Sequence, residues 1–181
     1  MQGARPGQDQ VTTIVKEAGC NTFVCAQAEC LPEEGSILLD NDGGVRKSQP
    51  KNLPPYASHM ISAMNEEGTN TPTFLYYGIV GMQTAKSIDS LSNAVHDIAN
   101  RIKDGETVYI HCGGGVGRAG LLTACVLGLL YDDLDAESAL EYTTAFCQVR
   151  NMKGKEEVHY SSPETDEQKD QVREFYKKIR G

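Results

Sequence analysis

The 181-residue sequence predicts a single α/β domain with a central, mostly parallel sheet flanked by helices. Three observations predict it. Short β-branched and aromatic runs alternate with helical stripes along the chain. The run Thr107-Val108-Tyr109-Ile110 feeds a glycine-rich loop that opens directly onto an apolar helix. The hydrophobic content of 39% fills one sizeable core, whereas two full domains would be cramped in this length.

Taken in order, residues 1–10 read as a polar leader and residues 11–181 as the domain. Val11 to Ala18 reads as a helix ending at Gly19, and Thr22 to Ala26 as a short buried strand. Residues 31–56 carry glycines and prolines enough for an irregular excursion. A helix from Tyr56 to Glu67 should stop at Gly68, and Phe74 to Val80 has the apolar and aromatic content of the next strand. Ser87 is a natural N-cap for a helix whose apolar stripe is Ile88, Leu91, Val95, Ile98 and Ile102, with Asp104-Gly105 as its stop. Thr107 to Ile110 is then a central strand. Ala119 to Leu130 is apolar nearly all round, as a helix in the middle of a domain must be. Asp135 caps a helix through Phe146, and Ser162-Pro163-Glu164 supplies N-cap, N1 proline and first-turn acid for a last helix facing inward with Val172, Phe175 and Ile179.

The formal charge of −8 argues against a protein that grips nucleic acid or an anionic membrane, since both demand a basic surface. The longest apolar run, Ala119 to Tyr131, falls short of the roughly 20 residues that span a bilayer. Met1 to Gly7 lacks the apolar stretch of a secretory signal, so a cytoplasmic protein with no membrane anchor is expected. Cysteines 20, 25, 30, 112, 125 and 147 match no paired zinc spacing; no metal and no cofactor are expected, and most of these thiols read as small core residues.

Cys112 is different. Of the five residues that follow it before Arg118, Gly113, Gly114, Gly115 and Gly117 are glycine and only Val116 carries a side chain. Between a strand and a helix, such a run lets successive amides converge into a concave anion nest, and the helix start adds its unpaired amides and positive dipole end. Positive potential there favours the thiolate of Cys112, the form that attacks, and Arg118 offers a planar two-pronged donor to phosphate oxygens. No lysine and hydroxyl follow the last glycine, so this is not the loop of nucleotide-binding proteins.

His111 to Arg118 resembles the His-Cys-x-x-Gly-x-Gly-Arg signature of the cysteine-dependent phosphatases of protein tyrosine and dual-specificity type, at every fixed position. Asn21 to Cys25 is similar to the first core strand of small dual-specificity phosphatases, and Phe74 to Val80 to the strand leading into their acid loop. Gln148-Val149-Arg150 and Ser162-Pro163-Glu164-Thr165 with Gln168 resemble the closing segment of atypical members. The resemblance implies a dual-specificity-phosphatase-like fold and hydrolysis of phosphotyrosine, with phosphoserine or phosphothreonine as further substrates, on phosphorylated protein partners. It implies Cys112 as nucleophile forming a phosphocysteine, Gly113, Gly114, Gly115, Val116, Gly117 and Arg118 as phosphate cradle, and His111 as a residue that orients the loop from behind.

The pattern is broken at the acid. Relatives carry an aspartate about 30 residues before the cysteine, and Gly81 stands where it would align. The nearest carboxylates in sequence, Asp89, Asp132 and Asp133, read as solvated charges or caps. Ala119 also replaces the Ser or Thr that often follows the arginine. General acid help is worth about 10²–10⁴-fold, so slow turnover is expected, with a phospho-binding pseudophosphatase as the alternative. A glucan phosphatase stays open on the Gly-Arg-Ala run, while the absence of lysine inside the loop disfavours phosphoinositides. Tyr56, Tyr76 and Tyr77 read as core residues more readily than as a phospho-aryl pocket.

Overall fold

The computed structural model describes residues 1–39, 56–66, 71–150 and 161–181. Five strands, β1 (Gln2–Ala4), β2 (Thr22–Gln27), β3 (Ile37–Leu38), β4 (Thr73–Ile79) and β5 (Val108–Cys112), form one sheet in the order β1-β5-β2-β4-β3. Every pairing is parallel. The six helices of the described residues are α1 (Gln8–Lys16), α2 (Ala57–Glu66), α3 (Ile88–Lys103), α4 (Gly117–Leu130), α5 (Ala136–Val149) and α6 (Asp166–Arg180).

The period of two along a strand decides which helices cover which face. Phe23 and Phe74 point to one face, where they pack with Val11 and Val15 of α1 and Met60 of α2. Their neighbours Val24 and Leu75 point to the other, into a larger core built with Leu91, Val95 and Ile98 of α3, Leu121 and Leu122 of α4, and Phe175 of α6. Ten of the fourteen residues of α4 are buried, because it lies between the sheet and α3, α5 and α6. Truncating Phe23 or Phe175, both fully buried, would cost on the order of 3–5 kcal/mol. Ser87 caps α3 through a bond from the Ser90 amide, and Asp135 caps α5 through one from Ser138, as the sequence predicts.

The structure departs from expectation in three places. The stretch expected as a polar leader, residues 1–10, holds β1 and the start of α1. Gln2 is only 3% exposed, and its side-chain nitrogen donates to the Gly115 carbonyl (2.8 Å) and to Ser162 Oγ (2.9 Å). The last helix begins at Asp166, not at Pro163: Thr165 and Gln168 cap it reciprocally, whereas the Ser162 hydroxyl is bonded to the Val116 carbonyl. Helix α5 runs on to Val149. The predicted stop at Gly68 and most of the 31–56 excursion lie outside the described residues. No helix of the described residues is long and apolar enough to cross a membrane.

Gln2 ties an edge strand to the loop after β5 and to the turn before α6, so Gln2→Ala should lower stability by about 1–3 kcal/mol, the cost of losing two buried hydrogen bonds. Urea unfolding followed by circular dichroism measures it. An unchanged midpoint would mean that the two Gln2 side-chain bonds contribute nothing to stability.

Candidate functional site

The loop between β5 and α4, residues 113–116, lies at the carboxyl edge of the sheet, where parallel α/β folds place ligands. The carbonyls of its last three residues are bonded to groups outside the loop. Arg150 donates to the Gly114 carbonyl (2.8 Å) and to that of Gly115 (3.0 Å), Gln2 also donates to Gly115, and Ser162 Oγ donates to the Val116 carbonyl (2.8 Å). In a trans peptide the C=O of one residue and the N–H of the next point in opposite directions. With the carbonyls of 114, 115 and 116 held outward, the amides of Gly115, Val116 and Gly117 face the inner side of the loop. The first turn of α4 adds its positive end there.

Gly115 carries the tightest part of this turn. Its φ is +70°, and a β-carbon on it would lie 2.2 Å from the backbone carbon of Gly3. Both facts exclude any other residue. Gly117 has a different constraint: a β-carbon there would come within 2.9 Å of Gln168 Oε1 and 3.1 Å of Glu164 Oε2.

Cys112 ends β5 with its thiol buried at the base of the loop, and Arg118 lies beside the loop, its Nη2 3.6 Å from the place a Gly113 β-carbon would take. The rest of Arg118 is fixed from behind. Nη1 donates to Glu29 Oε2 (2.5 Å) and to the Ile79 carbonyl (3.0 Å), and Nη2 donates to Glu29 Oε1 (2.9 Å). Burial alone would push the Glu29 carboxyl up, but hydrogen bonds from Arg118 and Gln27 outweigh it and hold the group down at about 2. The side chain of Gln27 donates to Glu29 at 3.1 Å. Glu29 lies on the turn after β2, and nothing in the local sequence pairs it with Arg118; only the adjacency of β2 and β5 in the sheet brings them together.

His111 is fully buried, with Nε2 at 2.6 Å from Tyr56 Oη and its ring stacked on Tyr109. Burial, with Arg5 and Arg118 nearby, lowers its pKa to about 3, so it is a neutral imidazole behind the loop. Tyr56, Tyr76 and Tyr77 are all core side chains: Tyr76 donates to the Gln27 and Cys30 carbonyls, and Tyr77 pairs with Ser90. None of them lines an aryl pocket. Gly81 follows β4 on the exposed rim, with nothing within 4 Å of the position a β-carbon would take. Of the sequence-derived carboxylates, Asp89 is paired with Lys178 on the surface of α3 and α6. Asp132 and Asp133 follow the far end of α4, about 20 Å from the loop at 1.5 Å per residue over its fourteen residues.

A bowl of inward amides with a sulfur at its base and a guanidinium on its wall suits a tetrahedral oxyanion. Comparison with known proteins agrees with that chemistry. Residues 78–172, more than half of the chain, match the family model described as Swiss Army Knife protein, DSP-PTPase phosphatase domain. A 78-residue stretch is 31% identical to protein 197R of Invertebrate iridescent virus 6, named as a tyrosine phosphatase; it makes up 41% of this chain and 29% of the viral protein, so the chain spans less than a third of that relative. Among solved structures, Tk-PTP in its active form superposes with a TM-score of 0.64 at 19% identity, covering 97% of this chain and 90% of that one. PTPMT1 in complex with PI(5)P superposes with a TM-score of 0.61 at 17% identity, covering 99% and 90%. At such identities these two speak for the fold.

The Glu29–Arg118 pair should be visible in acid. Because the folded-state carboxyl sits below its ordinary 4.5, its contribution to stability is complete above that value and is lost as pH falls toward about 2. Glu29→Gln should therefore be less stable than the parent by about 1–3 kcal/mol at neutral pH, with the gap closing below about pH 4. Urea melts from pH 7 to pH 2.5 test it; a gap independent of pH would exclude the ionised pair.

Proposed function

The chain belongs to the DSP-PTPase phosphatase domain family of Swiss Army Knife proteins, and from that premise we propose that it hydrolyses phosphomonoesters, phosphotyrosine on proteins foremost, through a phosphocysteine on Cys112. The observation that carries this reading is the orientation of the loop: three consecutive carbonyls are tied outward, which turns the amides of Gly115, Val116 and Gly117 toward the sulfur side. A phosphoryl dianion seated there accepts those amides together with the inner edge of Arg118. Its phosphorus then lies against Cys112 Sγ. The thiolate attacks, the ester oxygen leaves on the solvent side, and a water molecule later releases inorganic phosphate and restores the thiolate.

In this scheme the neutral His111 imidazole supports the loop from behind through Tyr56 and does not exchange protons with substrate. Glu29 holds Arg118 in place and leaves its remaining donors for phosphate. Gly81 contributes no acid, which makes hydrolysis of esters with poor leaving groups the demanding step. The alternative, a module that binds phosphorylated partners without turning them over, uses the same bowl and differs only in chemistry.

Cys112→Ser should abolish turnover of p-nitrophenyl phosphate, by at least about 10³-fold, while the protein still binds inorganic phosphate. Steady-state kinetics with phosphate inhibition separates the readings: absence of Cys112-dependent turnover in the parent protein leaves the binding module. Gly81→Asp has room for its side chain and should raise kcat/KM for phenyl phosphate, a poor leaving group, by about tenfold or more over its effect on 2,4-dinitrophenyl phosphate. An equal effect on both esters would show that residue 81 does not face the leaving oxygen.

A further inference from the structure

We propose that Glu164 is the proton donor of this site, taking the role that Gly81 cannot; the inference rests on the phosphatase reading above and adds to it the residue that acts on the leaving oxygen. Two carboxylates of the described residues lie beside the loop, Glu29 and Glu164. Glu29 is committed. It grips the guanidinium with both oxygens and is held there as the carboxylate, with no proton to give.

Glu164 has the opposite character. It is exposed, and its carboxylate forms no hydrogen bond or ion pair with a described residue. One of its oxygens comes within 3.1 Å of the place a Gly117 β-carbon would occupy, over the first turn of α4 and at the rim of the amide bowl. Its position is not left to chance. The amides of Glu164 and Thr165 both donate to Gln168 Oε1, at 3.1 and 3.3 Å, and Gln168 Nε2 donates to the Gln83 carbonyl at 2.9 Å. Gln168 is fully buried. One side chain therefore fixes both the bend at 81–83, where an acid is missing, and the turn that carries Glu164. The two segments are joined through Gln168.

The proposed step starts from the enzyme form in which the Glu164 carboxyl carries its proton. As the Cys112 Sγ–P bond forms and the P–O ester bond breaks, the Glu164 carboxyl gives its proton to the departing oxygen, which leaves as a neutral alcohol or phenol. The Glu164 carboxylate then takes a proton from the water that attacks phosphorus; the S–P bond breaks, the thiolate returns, and phosphate departs. A purely electrostatic role, in which Glu164 only complements the positive end of α4, is the competing account.

The full chain, Glu164→Gln, Glu164→Asp and Cys112→Ser are compared on 2,4-dinitrophenyl, p-nitrophenyl and phenyl phosphate, with inhibition by inorganic phosphate measured alongside. Glu164→Gln is expected to lose about 10²-fold or more in kcat/KM on phenyl phosphate and less than about fivefold on 2,4-dinitrophenyl phosphate, to leave phosphate inhibition unchanged, and to be partly rescued as Glu164→Asp. An equal loss on all three esters, or none, overturns the assignment. If Cys112→Ser is inactive while Glu164→Gln behaves as the parent, the phosphatase reading stands and only the proton donor falls; if Cys112→Ser retains full turnover, both fall.

Discussion

The site depends on where three peptide carbonyls point. A glycine-rich loop has no intrinsic preference for a bowl over any other compact turn, since the freedom that permits the bowl also permits its alternatives. What selects one conformation is a set of donors outside the loop: Arg150 at the end of α5, Gln2 on the edge strand β1, and Ser162 on the turn before α6. These come from the two ends of the chain and from the helix that packs on α4. Closing the fold is thus the same event as shaping the anion site, and neither the loop nor its helix contains the information alone.

The ring of donors also accounts for the buried polar residues of this face. Gln2, Gln168 and Ser162 are each nearly inaccessible, and each carries hydrogen bonds to backbone groups of a different segment. Buried amides and hydroxyls weaken a core unless their partners are in place, so their presence makes the local packing intolerant of a shifted register. Gln171 repeats the device one turn further along α6, donating to and accepting from Ala85. Helix α6 in this way anchors the segment after β4, which brings the rim carrying Gly81 against the start of α4.

Much of this was legible in the sequence, and the physical reason differs by feature. The strand–loop–helix unit from Thr107 to Leu130 was readable because glycine, β-branched and all-apolar segments are local signals of different kinds, set side by side. The caps at Ser87 and Asp135 were readable for the same reason. β1 was not: three residues, Gln-Gly-Ala, have no strand propensity, and they pair with β5 because the sheet edge needs partners and Gln2 finds two. The start of α6 was misplaced because Ser-Pro-Glu and Thr-x-x-Gln both satisfy capping rules, and only the tertiary bond from Ser162 to Val116 decides between them.

Glu29 and Glu164 mark the limit of local reading most clearly. Their distances in sequence from Cys112, 83 residues before and 52 after, carry no signal, and both types of residue are ordinarily solvated. Yet the fold supplies them with different company. Glu29 receives a two-pronged guanidinium and a glutamine amide, which fix it as an anion whose work is to hold Arg118. Glu164 receives backbone support through Gln168 but no partner for its carboxylate among the described residues, which leaves that group available to whatever occupies the bowl. Two carboxylates beside the same loop differ in what the fold supplies them: a guanidinium and a glutamine amide for Glu29, backbone support alone for Glu164.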